Sequence, residues 1–141
     1  MSDPTRSPRR STGLALSAAI VGLTLATAYI HLSLGGVLFT LNGIGYVALA
    51  VAFVAAATGL HPLVTRFSWL PRIGLAGYTL VTIGAYLVMG PYFGLGWMAK
   101  AIEVGVLALL AVDVVRVYGS PLGLGRAAYA SLPRSAPTRS A

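Results

Sequence analysis

The chain has no cysteine, which excludes disulfides, thiolate metal sites and a thiol nucleophile. Acidic residues are nearly absent: Asp3, Glu103 and Asp113 are the three in 141 residues. Only Glu103 and Asp113 lie in the body of the chain, near opposite ends of one apolar run, so paired-carboxylate catalysis has no pair to use. Charged residues of both signs together make up 9%, against about 25% in a soluble domain. Such a chain cannot cover a water-facing surface, so lipid is the expected solvent. Catalytic signatures are missing as well: there is no G-x-S-x-G, no H-E-x-x-H, no Walker lysine and no dinucleotide fingerprint. Gly94-Leu95-Gly96 and Gly123-Leu124-Gly125 are too short and too apolar to stand in for one. No enzyme activity, catalytic residue or cofactor is expected.

What the chain does have is apolar length. Hydrophobic residues make up 57%, and they fall into four runs. Residues 14–34 carry no charge over a stretch long enough for a ~30 Å hydrocarbon layer. Spans follow at about 44–60, 73–89 and 97–118, ended by His61-Pro62, Gly90-Pro91 and Gly119. The glycine-bounded stretch 35–43 reads as a turn, and 62–72, with Arg66, Trp69 and Arg72, as a basic, aromatic interface loop. Ala18, Gly22 and Ala26 form a small-residue stripe suited to close helix approach, as do Ala48, Ala52 and Ala56. Residues 1–13 and 119–141, rich in Ser, Pro and Arg, read as disordered tails. A cleaved secretory signal is the competing reading of the first run, with Ala26-Thr27-Ala28 as its A-x-A site. The apolar run continues to Leu41, which favours a retained span.

The net charge of +7 suggests nucleic acid until the basic residues are located, and no aromatic-basic platform supports that reading. In a four-span topology Arg6, Arg9, Arg10, Arg66, Arg72, Arg116, Arg126, Arg134 and Arg139 fall on one side and Lys100 alone on the other. The positive-inside rule then makes both termini cytoplasmic. The expected fold is all-α, an antiparallel bundle of four transmembrane helices in the plasma membrane.

That topology sorts the polar residues by depth. Tyr29, His31, Asn42, Tyr46, Tyr86, Lys100 and Glu103 come from four helices to one outer stratum, as ligand sites in helix bundles do. His61, Trp69, Tyr78, Asp113, Arg116 and Tyr118 form an inner one. Lys100–Glu103 and Asp113–Arg116 are each spaced to pair on one helix turn. The first pair reads equally as a structural ion pair or as part of a site; the second reads as an interfacial pair with a snorkelling arginine. His31 has the chemistry of a base, relay or ligand. His31 and His61 lie at opposite levels, which excludes a shared haem, and one histidine with one glutamate leaves a metal short of ligands.

The elements Tyr29-Ile30-His31-Leu32, residues 38–43 (LFTLNG) and residues 96–100 (GWMAK), within the segments 28–50 and 96–110, resemble an uncharacterised group of small four-span membrane proteins of bacteria and archaea. The resemblance spans the central two-thirds of the chain and implies the four-span architecture; it carries no activity. Two functions remain. The leading one is a non-enzymatic subunit, scaffold or assembly partner, in lipid, with a second copy or a larger membrane complex. The alternative is a small transporter or ligand-binding protein using His31, Lys100 and Glu103.

Overall fold

The computed structural model describes residues 8–132; of the tails expected over 1–13 and 119–141, segments 1–7 and 133–141 lie outside that range, while residues 8–13 belong to the first helix. Among the described residues the chain is all-α: α1 (Pro8–Leu34), α2 (Val37–Thr58), α3 (Pro62–Arg66), α4 (Trp69–Met89), α5 (Gly94–Tyr118) and α6 (Pro121–Ser131). Three helical segments are long and apolar enough to cross a membrane: Ser11–Leu34, Val37–Thr58 and Trp69–Met89. α5 is as long but carries Lys100, Glu103, Asp113 and Arg116. α1 packs against α2 and α5, and α4 packs against those same two helices. Ile20, Ala28, Tyr46, Phe53, Leu75, Val106 and Leu110 meet in the core. Outside it, large apolar side chains such as Val51, Leu80, Val81 and Val104 are exposed, far more apolar surface than a water-facing protein shows.

The boundaries follow local chemistry, and several differ from the sequence reading. The turn expected over 35–43 is only Gly35 and Gly36, both at positive φ (70° and 82°), a conformation that glycine adopts without steric cost. Thr40 N–H already bonds Gly36 O, so α2 begins at Val37 rather than near residue 44. Nothing in VLFTL breaks a helix. Asn42-Gly43 lies inside the helix because Gly43 is where α1 touches it: a Cβ there would sit 2.6 Å from Leu32 Cγ and 3.0 Å from the Ala28 carbonyl.

The interface loop expected over 62–72 is also mostly helical. His61 caps α3, its Nδ1 accepting from Leu63 N–H, with Pro62 in the first turn. α4 then starts at Trp69, which makes Arg72 a helical residue.

Residues 121–131, read as part of a disordered tail, form α6. Ser120 caps it by accepting from Gly123 N–H, with Pro121 again at the start. Its far end is anchored because Arg66 donates twice to Ser131 O, at 3.0 and 2.6 Å, and Trp69 Nε1 donates to Ser131 Oγ.

The small-residue stripes behave unequally. Gly22 would place a Cβ against nothing within 4 Å, so it is not the close helix crossing expected of it. Gly43→Val should therefore destabilise the fold by about 1–3 kcal/mol through overpacking. Gly22→Ala should be neutral or slightly stabilising. Thermal unfolding of both variants in the same detergent checks the contrast.

Candidate functional site

The heptad-like spacing of Ala99, Glu103, Val106, Leu110 and Asp113 puts one face of α5 inside the protein, and all five are buried. Two carboxylates on that face, ten residues apart, are separated by about 15 Å of helix rise. Each has become the centre of a polar network.

Glu103 is fully buried (0% exposed) and is satisfied from three helices. Lys100, one turn earlier on α5, donates through Nζ to Oε2. Thr82 of α4 stands 3.2 Å from the same oxygen, its one hydroxyl proton shared with the Thr79 carbonyl at 2.9 Å, and Thr27 of α1 donates to Oε1 at 3.2 Å. His31 Nε2 stands 3.8 Å from Oε1, too far for a direct hydrogen bond. Its Nδ1 lies 2.8 Å from the Thr27 carbonyl, which only accepts. Nδ1 therefore carries a proton, and in the neutral ring Nε2 presents a lone pair. Tyr46, also fully buried, hydrogen-bonds Thr82 Oγ1 at 2.7 Å, and its ring lies beside His31 with centroids 5.7 Å apart.

One end of this network opens on a cavity of about 350 Å³. Its wall is mostly apolar, with Leu38, Phe39, Val81 and Met89 among the lining residues; its polar lining includes His31, Asn42, Tyr86 and Lys100. Lys100 Nζ sits 5.6 Å from the centroid of the Tyr86 ring, a cation–π contact. Gly96 admits that ring, since a Cβ there would lie 2.6 Å from Tyr86 Oη. Asn42 Oδ1 is buried at the wall and has no hydrogen-bond partner. Tyr86, Tyr92 and Trp97 cluster nearby, with Tyr92 stacked on Trp97 at 5.9 Å.

Of the seven residues assigned to the outer cluster, six meet at the network or its cavity. Tyr29 does not: it is 73% exposed, because two residues along a helix turn the side chain to the opposite face from His31. Tyr78, assigned to the inner stratum, belongs with the outer group. Its hydroxyl donates to Asn42 O over the bare backbone of Gly45. Thr27 and Thr82 were missed. Both carry a findable signal, since each stands four residues before a cluster member (His31, Tyr86), the spacing of one helix face.

The inner pair is larger than sequence suggested. Asp113 accepts from Arg116 at 2.8 Å, as its spacing implied, and also from Arg72 Nε at 2.8 Å. Arg72 is 4% exposed, bonds Ser68 O, and lies over the Phe53 and Tyr118 rings. It is part of a buried network rather than a loop charge. No group of three or more metal-ligating side chains occurs among the described residues.

Comparison with protein-family models, curated proteins and solved structures gives no match.

A buried pair broken on one side leaves an uncompensated charge costing about 3–5 kcal/mol, whereas neutralising both members costs far less. Glu103→Gln should therefore fail to accumulate or unfold early, and adding Lys100→Met should restore much of the loss. Thr82→Val should cost about 1.5–3 kcal/mol, the range for a hydrogen bond to a charged group. Tyr29→Ala should change stability by less than about 0.5 kcal/mol. Denaturation of the five proteins in one detergent, wild type included, checks the order.

Proposed function

We propose that the chain is a four-span integral membrane protein of the prokaryotic plasma membrane, with both termini cytoplasmic, that binds a lipophilic molecule bearing a hydroxyl head in the cavity beside Lys100. Several features support the four-span reading. α5 has 25 residues, roughly 37 Å at about 1.5 Å per residue. Lys100, Glu103 and Asp113 on it are buried while Val104, Val112 and Val115 are exposed, so its charges point inward and its outer face suits lipid. Arg66, Arg72, Arg116 and Arg126 lie towards one end and Lys100 towards the other, the asymmetry the positive-inside rule reads as orientation.

The observation that carries the binding reading is the convergence of His31, Asn42 and Lys100 on one largely apolar cavity. The pair is buried, with side-chain exposure of 8% for Lys100 and 0% for Glu103, and the lysine still lines the cavity. The polar atoms there fit a hydroxyl. The unpaired Asn42 Oδ1 can accept, and the Lys100 ammonium donates. Glu103 already balances Lys100, so an uncharged head matches the local charge. A scaffold role, which composition alone favours, is better served by a polar cluster on an outer flank, where a partner would cover it.

Binding is tested in lipid nanodiscs with 1-dodecanol as the hydroxyl probe and dodecane as its headless control. Dodecanol should raise the unfolding temperature of the wild type more than dodecane does. Asn42→Leu should remove the difference between them, and Ala85→Phe, which fills the cavity away from the ion pair, should remove both responses. Equal responses to both probes in all three proteins would refute a site at this cavity.

A further inference from the structure

A second cavity, of about 1030 Å³, lies at the opposite end of the helices, between α1, α2, the α3–α4 region and the end of α5. Its polar lining differs from that of the outer cavity in charge. Arg72 and Arg116 both face it, and one carboxylate, Asp113, serves both guanidiniums. The network therefore carries one positive charge more than it balances. Arg72 is nearly fully buried, whereas the Arg116 side chain is 38% exposed and its tip rests against the backbone of Gly13. Asp113 occupies one of its nitrogens, and a guanidinium has five N–H donors. Ser17 and Ser68 add hydroxyls to the same wall.

From this charged end an apolar groove continues along the surface of α1 and α2, past Val21, Gly22 and Val54. Gly22 is exposed and would place a Cβ against nothing within 4 Å, so a chain lying in the groove can approach the helix backbone there. A surplus guanidinium at the edge of a low-dielectric interior draws a counter-anion. Phosphate is the anion a guanidinium fork fits best, and at a membrane surface its abundant source is the phospholipid headgroup.

We propose that this cavity holds an anionic phospholipid, with its phosphate on Arg116 beside Arg72 and one acyl chain lying along Val21, Gly22 and Val54. This rests on the membrane-spanning reading above but not on any ligand of the outer cavity.

The test is native mass spectrometry, with thermal unfolding, of the protein reconstituted with phosphatidylglycerol or with phosphatidylcholine. A third arm supplies phosphatidylcholine with added inorganic phosphate. The site predicts one retained phosphatidylglycerol per chain and a preference over phosphatidylcholine of about fivefold to tenfold. Arg116→Gln leaves the Arg72–Asp113 pair balanced, and should abolish the preference without loss of the fold. Gly22→Leu keeps every charge but fills the groove where the acyl chain would lie, so it should weaken retention of the lipid. Ala85→Phe in the outer cavity should leave retention unchanged, which separates failure of this site from failure of the outer one. Equal retention of the two lipids, a preference that survives Arg116→Gln, or full stabilisation by inorganic phosphate alone would overturn the assignment. If Arg116→Gln does not fold, Gly22→Leu decides by the same readout.

Discussion

The structure turns on one buried carboxylate. Glu103 has no solvent to answer its charge, so protein donors must do so, and they come from α1 (Thr27), α4 (Thr82) and α5 itself (Lys100). Desolvating such a pair costs several kcal/mol per ion, and the mutual attraction offsets this only when the remaining lone pairs are also bonded. The two threonines are therefore conditions of the burial rather than ornaments to it. Because they sit on different helices, satisfying Glu103 fixes the relative depth and rotation of α1, α4 and α5 together. An apolar face of alanine and leucine would let those helices slide; a carboxylate with three directed partners does not. The same geometry turns His31 toward Oε1 and leaves the Lys100 ammonium at the cavity wall.

The two ends of α5 solve one problem in opposite ways. At Glu103 one lysine meets one carboxylate, and the charge closes. At Asp113 two arginines meet one carboxylate, and it does not. Between them lie Val106 and Leu110, packed with Ile20, Phe53 and Leu75 into an apolar plug. The protein thus has a polar network towards each end of α5, separated by an apolar middle. The balanced network suits an uncharged head beside it, and the surplus network an anion. Nothing in the overall composition separates these cases; they differ by a single arginine, Arg72, and by where its helix begins.

Much of this was legible in the sequence. Apolar runs and prolines located the long helices, and three-residue spacings located both ion pairs, because those signals are local. Helix rotation was legible too: Tyr29 and His31 share a depth but not a face. The position of Arg72 was less accessible. Its neighbours Trp69, Pro71 and Arg66 look like an interface loop, and only the packing of α4 against α5 brings it to Asp113. α6 was hidden for a similar reason. Its two glycines disfavour helix and its 11 residues are too few to be stable alone, but Ser120-Pro121 begins a helix and Arg66 and Trp69 hold its last residue, contacts separated by more than sixty positions. The Gly35–Gly36 turn was overextended because Asn42-Gly43 resembles a turn, whereas Gly43 serves close approach of α1.

The central claim is that Lys100 and Glu103 form a closed ion pair inside the protein. The chain offers an unusually clean test, since Lys100 is its sole lysine and Glu103 its sole glutamate. Biosynthetic labelling with 15Nζ-lysine and 13Cδ-glutamate marks one atom of each kind, and a solid-state dipolar recoupling measurement in lipid reads their separation directly. A strong coupling, placing nitrogen and carboxylate within salt-bridge reach of about 4 Å, is the predicted result. Absence of coupling in folded, membrane-embedded protein would contradict the account, because the network, the cavity wall and the helix register all depend on that contact.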